Sequence, residues 1–201
     1  MLLKNALVFC HLLAMALAVA KMLEYDIRFL RCANQPSTPE RRQMLLHTKV
    51  VMSWSLLVLW LTGAGLVAWG WFESPTYLDN QKLWIKVITV ASLTLNGVLM
   101  HRFAFPLLQD DRAFLDLPLR QGLGLTAFAA TSSTSWLYAS FLGVARSWNH
   151  SAPLSYTLTV YVALLLAAVV SGSSVVAALH RRRQRHKRSD ARAGEWGLHA
   201  G

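Results

Sequence analysis

The chain has 201 residues, 54% of them hydrophobic and only 15% charged, with a mean hydropathy of +0.35 and a formal charge of +10. It is more apolar than an ordinary soluble domain and too short for two. Its basic residues cluster at the ends of apolar runs and in the tail, which argues for a membrane protein with basic loops and against a nucleic-acid binder.

Five runs approach or exceed the roughly 20 residues that cross a hydrocarbon core: 3–28, 44–71, 83–106, 122–145 and 155–179. They predict an all-α fold, a polytopic membrane helix bundle of about five spans over 1–180, followed by a basic tail at 181–201 without fixed structure. The first run, LLKNALVFCHLLAMALAVAKMLEYDI, has the Lys4, apolar stretch and Ala18-Val19-Ala20 of a cleavable signal. Cleavage would leave two arginine-rich segments outside the cell, so the run is read as a retained span. Cys10 and Cys32 lie about 33 Å apart along a helix at 1.5 Å per residue, which rules out a bridge within it.

The second run carries WSLLVLWLTGAGLVAWGW, and the third, LWIKVITVASLTLNGVLMHRFAFP, is expected to end at Pro106. The fourth, GLGLTAFAATSSTSWLYASFLGVA, is the weakest because of its hydroxyl cluster at Thr131 to Ser135. It is still expected to span, since hydroxyls bond back to the preceding turn or across to a neighbouring helix. Small residues at Gly63, Gly65, Ala139, Gly143 and Ser171 to Ser174 suit close helix packing.

Orientation follows from Lys and Arg. Arg28, Arg31, Arg41 and Arg42 flank the first link, and HRRRQRHKR follows the fifth run from His180. Both segments are expected in the cytoplasm. The links after the second and fourth runs are poor in basic residues, with Arg146 and His150 in the latter, and suit the outside. The third link, with Arg102, Arg112 and Arg120 beside Asp110, Asp111 and Asp116, is inside by alternation. The result is an N-out, C-in protein of the bacterial inner membrane, with Trp69, Trp71, Phe72, Trp84 and Trp148 as an outer aromatic belt and the basic tail against anionic lipids.

Ionisable groups within spans are costly, so function should show first among them. They are His11, Lys21, Glu24, Asp26, His47, Lys49, Lys86 and His101, with Asn96 as a polar companion. Lys21, Glu24 and Arg28 share a helix face and are expected to neutralise one another. His47 lies about one turn inside the inner boundary, and His101 lies about 27 Å along the third span, at a similar depth. Consecutive antiparallel helices usually pack together, so these imidazoles are candidates for the two axial ligands of a haem iron. A divalent metal with His180 as third ligand, or interfacial histidines bonded to water, are the alternatives. His11 lies about 13 Å inside from the other face. Opposite Lys86 it suits a second haem site, a proton relay or an interhelical contact. Lys86, Thr94 and His101 form a polar stripe on the third helix. No Walker, HExxH, GxSxG or GxGxxG motif is present, so nucleotide-driven transport and soluble-type hydrolysis lack support.

The first three spans resemble small bacterial membrane proteins of the CopD and HemJ type, some of which bind haem b. The carrying residues are FCHLLAMALAVAK with its close YDIRFLR, LWLTGAGL in the second helix, and NQKLWIKVITVASLTLNGVLMHRFAFP in the third, over about half the chain. The HemJ type oxidises protoporphyrinogen through a helix-1 histidine and a helix-3 lysine, so the resemblance implies those roles for His11 and Lys86. CopD-type proteins are associated with copper uptake, but six methionines without a cluster and two cysteines offer little soft-ligand chemistry. The expectation is a haem b-binding membrane protein for electron transfer or haem-linked redox chemistry, with His47, His101, His11 and Lys86 as cofactor-binding candidates and a quinone or membrane redox partner. Its rivals are a small transporter or ion-handling protein and a non-catalytic membrane subunit.

Overall fold

A computed structural model describes residues 2–109, 112–148 and 151–198. Asp110, Asp111 and His150, on which the charge reading partly rests, and the last three residues lie outside the described residues, as do the side chains of Arg146 and 186–198. The described chain is all-helical: α1 (Leu2–Cys32), α2 (Pro39–Glu73), α3 (Gln81–Leu99), α4 (Phe105–Leu108), α5 (Leu119–Val144) and α6 (Leu154–Leu198). Three short 3₁₀ turns lie in the links, and a wider π-helical turn over Met100–Ala104 joins α3 to α4.

Local chemistry explains the boundaries. Thr38 caps α2 by accepting from the Arg41 backbone N–H at 3.4 Å, with Pro39 in the first turn, where a missing N–H costs nothing. Asn80 caps α3 through the Lys82 N–H at 3.1 Å. Pro106 was expected to end the third span, but the helix continues to Leu108. Pro106 has no N–H for the carbonyl four residues back, and the ladder widens instead, with the Phe105 N–H reaching the Met100 carbonyl. At the other end of the chain α6 runs on to Leu198, where a segment without fixed structure was expected. Residues 180–193 contain neither Pro nor Gly and are rich in Arg, a good helix former.

Four helical stretches are long and apolar enough to cross a membrane: Leu2–Cys32, Pro39–Glu73, Gln81–Leu108 and Leu154–Arg185. They leave large apolar side chains such as Leu13, Leu61, Leu95 and Leu166 on the outside of the bundle, a surface suited to hydrocarbon. The fifth expected span, α5, falls outside this set because hydroxyls dilute its apolar run, yet it is among the best buried of the helices. Ser132, Ser135, Trp136, Tyr138 and Leu142 all point into the protein.

Packing divides the bundle into a pair and a trio. Helix α2 lies antiparallel along α1, where Ala14, Ala18 and Met22 form a thin, buried strip. Added methyl groups on Gly63 and Gly65 would touch His11 and Leu7 of α1 at 3.6 and 3.4 Å, so these glycines serve close approach as expected, whereas Gly143 faces open space. Helices α3, α5 and α6 pack on one another around Ile85, Tyr138, Leu142 and Tyr161. Helices α2 and α3 touch only sparsely despite their short link. The two groups meet at mid-height in a core of Ala18, Leu59, Leu93 and Trp136.

Polar ties sort the helix ends into two sets. At one end Lys4 pairs with Glu73 at 2.6 Å, Lys82 Nζ donates to the Ala145 carbonyl, and the Leu154 N–H donates to Gln81 Oε1 at 2.5 Å. At the other end Arg183 donates to Asp116 Oδ2 at 2.6 Å and to the Asn34 carbonyl at 3.3 Å. The arginine-rich links therefore share one end of the bundle, and α5 runs between the two ends.

Candidate functional site

The sparse contact between α2 and α3 leaves room between pair and trio. A cavity of about 610 Å³ opens there, in the half of the bundle nearest the arginine-rich links. Its walls are mainly apolar, including Met22, Met52, Leu56 and Trp136, and its polar groups are few: Asp26, Lys49, Asn96, His101 and several hydroxyls. That composition and size are those of a small-molecule or cofactor site.

Each polar group is held by its own element. Asp26 of α1 accepts at 2.6 Å from the Ser133 hydroxyl of α5, a direct bond across the cavity wall between pair and trio. Asn96 donates from Nδ2 to the Phe128 carbonyl at 3.1 Å, fixing α3 to α5, with Met100 Sδ at 3.6 Å as a weaker partner. His101 sits in the π-helical turn, and its ring meets Phe105 edge to face at 5.0 Å. Lys49 of α2 places Nζ over the same Phe105 ring, 5.2 Å from its centroid. Phe105 thus contacts both an imidazole and an ammonium that line the cavity. π-helical turns of this kind recur at functional sites.

The other expected residues fall elsewhere. His47 is exposed on α2, near Glu24 of α1, and does not line the cavity. Residues 47 and 49 are about 200° apart on a helical wheel, so Lys49 rather than His47 faces His101. The pairing of His47 with His101 assumed that consecutive spans pack side by side, whereas α2 packs on α1. Among the described residues no three His, Cys, Asp or Glu side chains group to hold a metal ion, and the set of His47, His101 and His180 is no exception.

In the other half of the bundle the structure does gather residues from three helices. His11 of α1 has Nδ1 2.8 Å from Thr62 Oγ1 of α2, and that hydroxyl in turn donates to the Val58 carbonyl at 2.6 Å. With its hydrogen spent on the carbonyl, Thr62 accepts from His11, which assigns the ring proton to Nδ1 and leaves Nε2 a lone pair. Lys86 of α3 lies within electrostatic reach of this imidazole. Thr94, the middle of the expected stripe, accepts from Trp60 Nε1 at 3.0 Å. Lys21, Glu24 and Arg28 form the neutralising ladder that their spacing requires, at 2.8 and 3.1 Å.

Sequence reasoning noted Asp26 and Lys49 without giving them a role, placed Ser133 only within the hydroxyl cluster of the fourth run, and passed over Lys82. Lys82 looks like a loop residue beside Asn80 and Gln81, yet it is 3% exposed, with its ammonium on the end of α5. Fold and site together define a polytopic helical membrane protein with a polar-tipped cavity inside its bundle. No family model, curated protein or solved structure matches the chain.

Proposed function

We propose that this chain is a five-span protein of the bacterial inner membrane, N-out and C-in, that holds haem b in the cavity between its helix pair and helix trio and serves electron transfer or haem-linked redox chemistry. The observation that carries the reading is that one imidazole, His101, itself exposed, and one ammonium, Lys49, line the same cavity of about 610 Å³ with apolar walls. A porphyrin needs apolar walls for its ring, an imidazole nitrogen for its iron and a cation for its propionates. His101 supplies the nitrogen, Lys49 the cation, and Met22, Leu56 and Trp136 the walls. Haem b would contribute one-electron chemistry, with a quinone or another membrane redox protein as the exchange partner. His47 is too far round α2 to share this site.

Five spans fit the ties at the helix ends. The start of α5 lies at the arginine-rich end, and its last carbonyls meet Lys82 at the other, as a crossing helix requires. The positive-inside rule then puts the arginine-rich end in the cytoplasm.

The test is the visible spectrum of protein purified in detergent from haem-replete cells. A Soret band with sharpened α and β bands on reduction, lost in His101→Ala and kept in His47→Ala, is the expected result. A colourless wild-type protein refutes the haem reading. The second reading, ion handling along the Lys86, Thr94 and His101 stripe, is favoured by the approach of His11 to Lys86. Its signature is ion flux in proteoliposomes that Lys86→Met abolishes.

A further inference from the structure

A second pocket, of about 330 Å³, lies where the end of α1, the start of α2 and the α4–α5 link converge. Among the described residues four arginines line it, Arg28, Arg31, Arg41 and Arg112, against one carboxylate, Glu40. They are not equivalent. Arg41 is committed to the chain itself, donating to the carbonyls of Cys32, Gln35 and Pro36 at 3.0 to 3.2 Å, where it closes the end of α1. Arg28 is shared with Glu24 at 3.1 Å. Arg31 is exposed and has neither ion pair nor hydrogen bond among the described residues.

The floor beneath these cations is apolar, formed by Met44, Leu45, Leu107, Leu108 and Leu117. Exposed apolar side chains flank it, Ile27 and Leu30 on α1 and Leu46 and Val50 on α2, marking where hydrocarbon meets the protein. Cations above, apolar floor below and lipid-facing surface alongside describe the shape of an anionic amphiphile at the membrane boundary. Guanidinium groups match phosphate oxygens two at a time, and a basic recess between helices at the inner surface is where anionic headgroups dock.

We infer that this arginine-lined pocket binds the phosphate of an anionic phospholipid, with Arg31 as the principal cation and the acyl chains lying along α1 and α2. The inference rests on the crossing helices and stands independently of the haem reading. It is also distinct from general attraction of the α6 tail to anionic membranes, because the recess is built from other elements.

Cys32 lines the pocket and Cys10 lies exposed on the far half of α1, so Cys10→Ser leaves a single reporter thiol. The experiment follows modification of Cys32 by an uncharged, water-soluble maleimide in phosphatidylcholine vesicles with and without phosphatidylglycerol. Phosphatidylglycerol should slow the reaction at least fivefold in C10S. Arg31→Gln should weaken the lipid dependence about fivefold, the worth of one cation at the surface. Arg31→Lys should keep most of it, and R181Q/R182Q in the tail all of it. Equal rates in the two membranes, undiminished protection in R31Q, or loss of protection only in the tail variant would each overturn the inference. Inorganic phosphate that protects as well as the lipid would also overturn it, since the ligand would then be a free anion. Should R31Q fail to fold, the comparison of the two membranes on C10S alone still decides.

Discussion

Tyr161→Phe tests whether the hydroxyls of α5 face the interior of a membrane-spanning bundle. The Tyr161 hydroxyl of α6 lies 2.7 Å from Ser135 Oγ of α5 and donates to Ser92 Oγ of α3 at 3.0 Å, so one atom ties the whole trio. Removing it leaves the ring, and with it the stack on Tyr138 at 5.2 Å, unchanged. Ser135 keeps its own bond to the Thr131 carbonyl at 2.6 Å, and Ser92 is free to turn to the preceding helical turn. No buried group is therefore stranded, and the cost is that of the bond to Ser92 and of the hydrogen that Ser135 shares between Thr131 and Tyr161. Interhelical hydrogen bonds in membranes average about 0.6 kcal/mol, with a maximum near 1.7, so the pair should contribute about 1 kcal/mol, roughly a fivefold change in the folded ratio. Reversible unfolding in mixed micelles measures it, with Ser135→Ala and the double variant completing a cycle. A Tyr161→Phe protein within about 0.3 kcal/mol of wild type, together with zero coupling to Ser135, would refute an interior position for this face of α5.

Two further perturbations probe the ends of the bundle. A methyl group on Gly70 would sit 2.6 Å from the Tyr77 ring, far inside contact distance, so Gly70→Ala should cost about 1–3 kcal/mol by overpacking the turn after α2. Gly70→Ala/Tyr77→Ala should recover part of that loss, and thermal unfolding in detergent checks both. Arg183→Ala removes the 2.6 Å bond to Asp116, a pair only about a quarter exposed, and should cost up to about 1 kcal/mol, less at high salt. Faster limited proteolysis of the α4–α5 link reports it, and an unchanged rate would show that Arg183 does not secure that link.

How far the sequence was legible depends on the range of the interaction that decides each feature. Helices show in apolar runs of membrane length, and the Lys21, Glu24 and Arg28 ladder shows in spacing, because both are local. The widening at Met100–Ala104 follows from Pro106, but only a structure shows that the helix absorbs the break instead of ending there. Which helices pair is not local. The expected match of His47 with His101 rested on α2 packing against α3, whereas α2 packs chiefly on α1, where Thr62 meets His11. The contact of His11 with Thr62 was not legible either, because it depends on how α1 and α2 pack. Lys82 was illegible for a different reason. Its role depends on where α5 ends, 63 positions later.

The division into pair and trio accounts for the cavity and for the polar residues around it. Two helix groups with complementary apolar faces would close on each other fully, as the strip of Ala18, Leu59, Leu93 and Trp136 does at mid-height. Below that level the walls of the gap stay mainly apolar, interrupted by Asp26, Lys49, Asn96 and His101. Asp26 with Ser133, and Arg183 with Asn34 and Asp116, then bridge the gap at chosen points and set its width. A carboxylate, an ammonium and an imidazole around one apolar chamber are costly in a bilayer unless something occupies or hydrates that chamber. Packing alone does not call for this set of residues, and a polar-edged ligand of the kind proposed above would offset their cost.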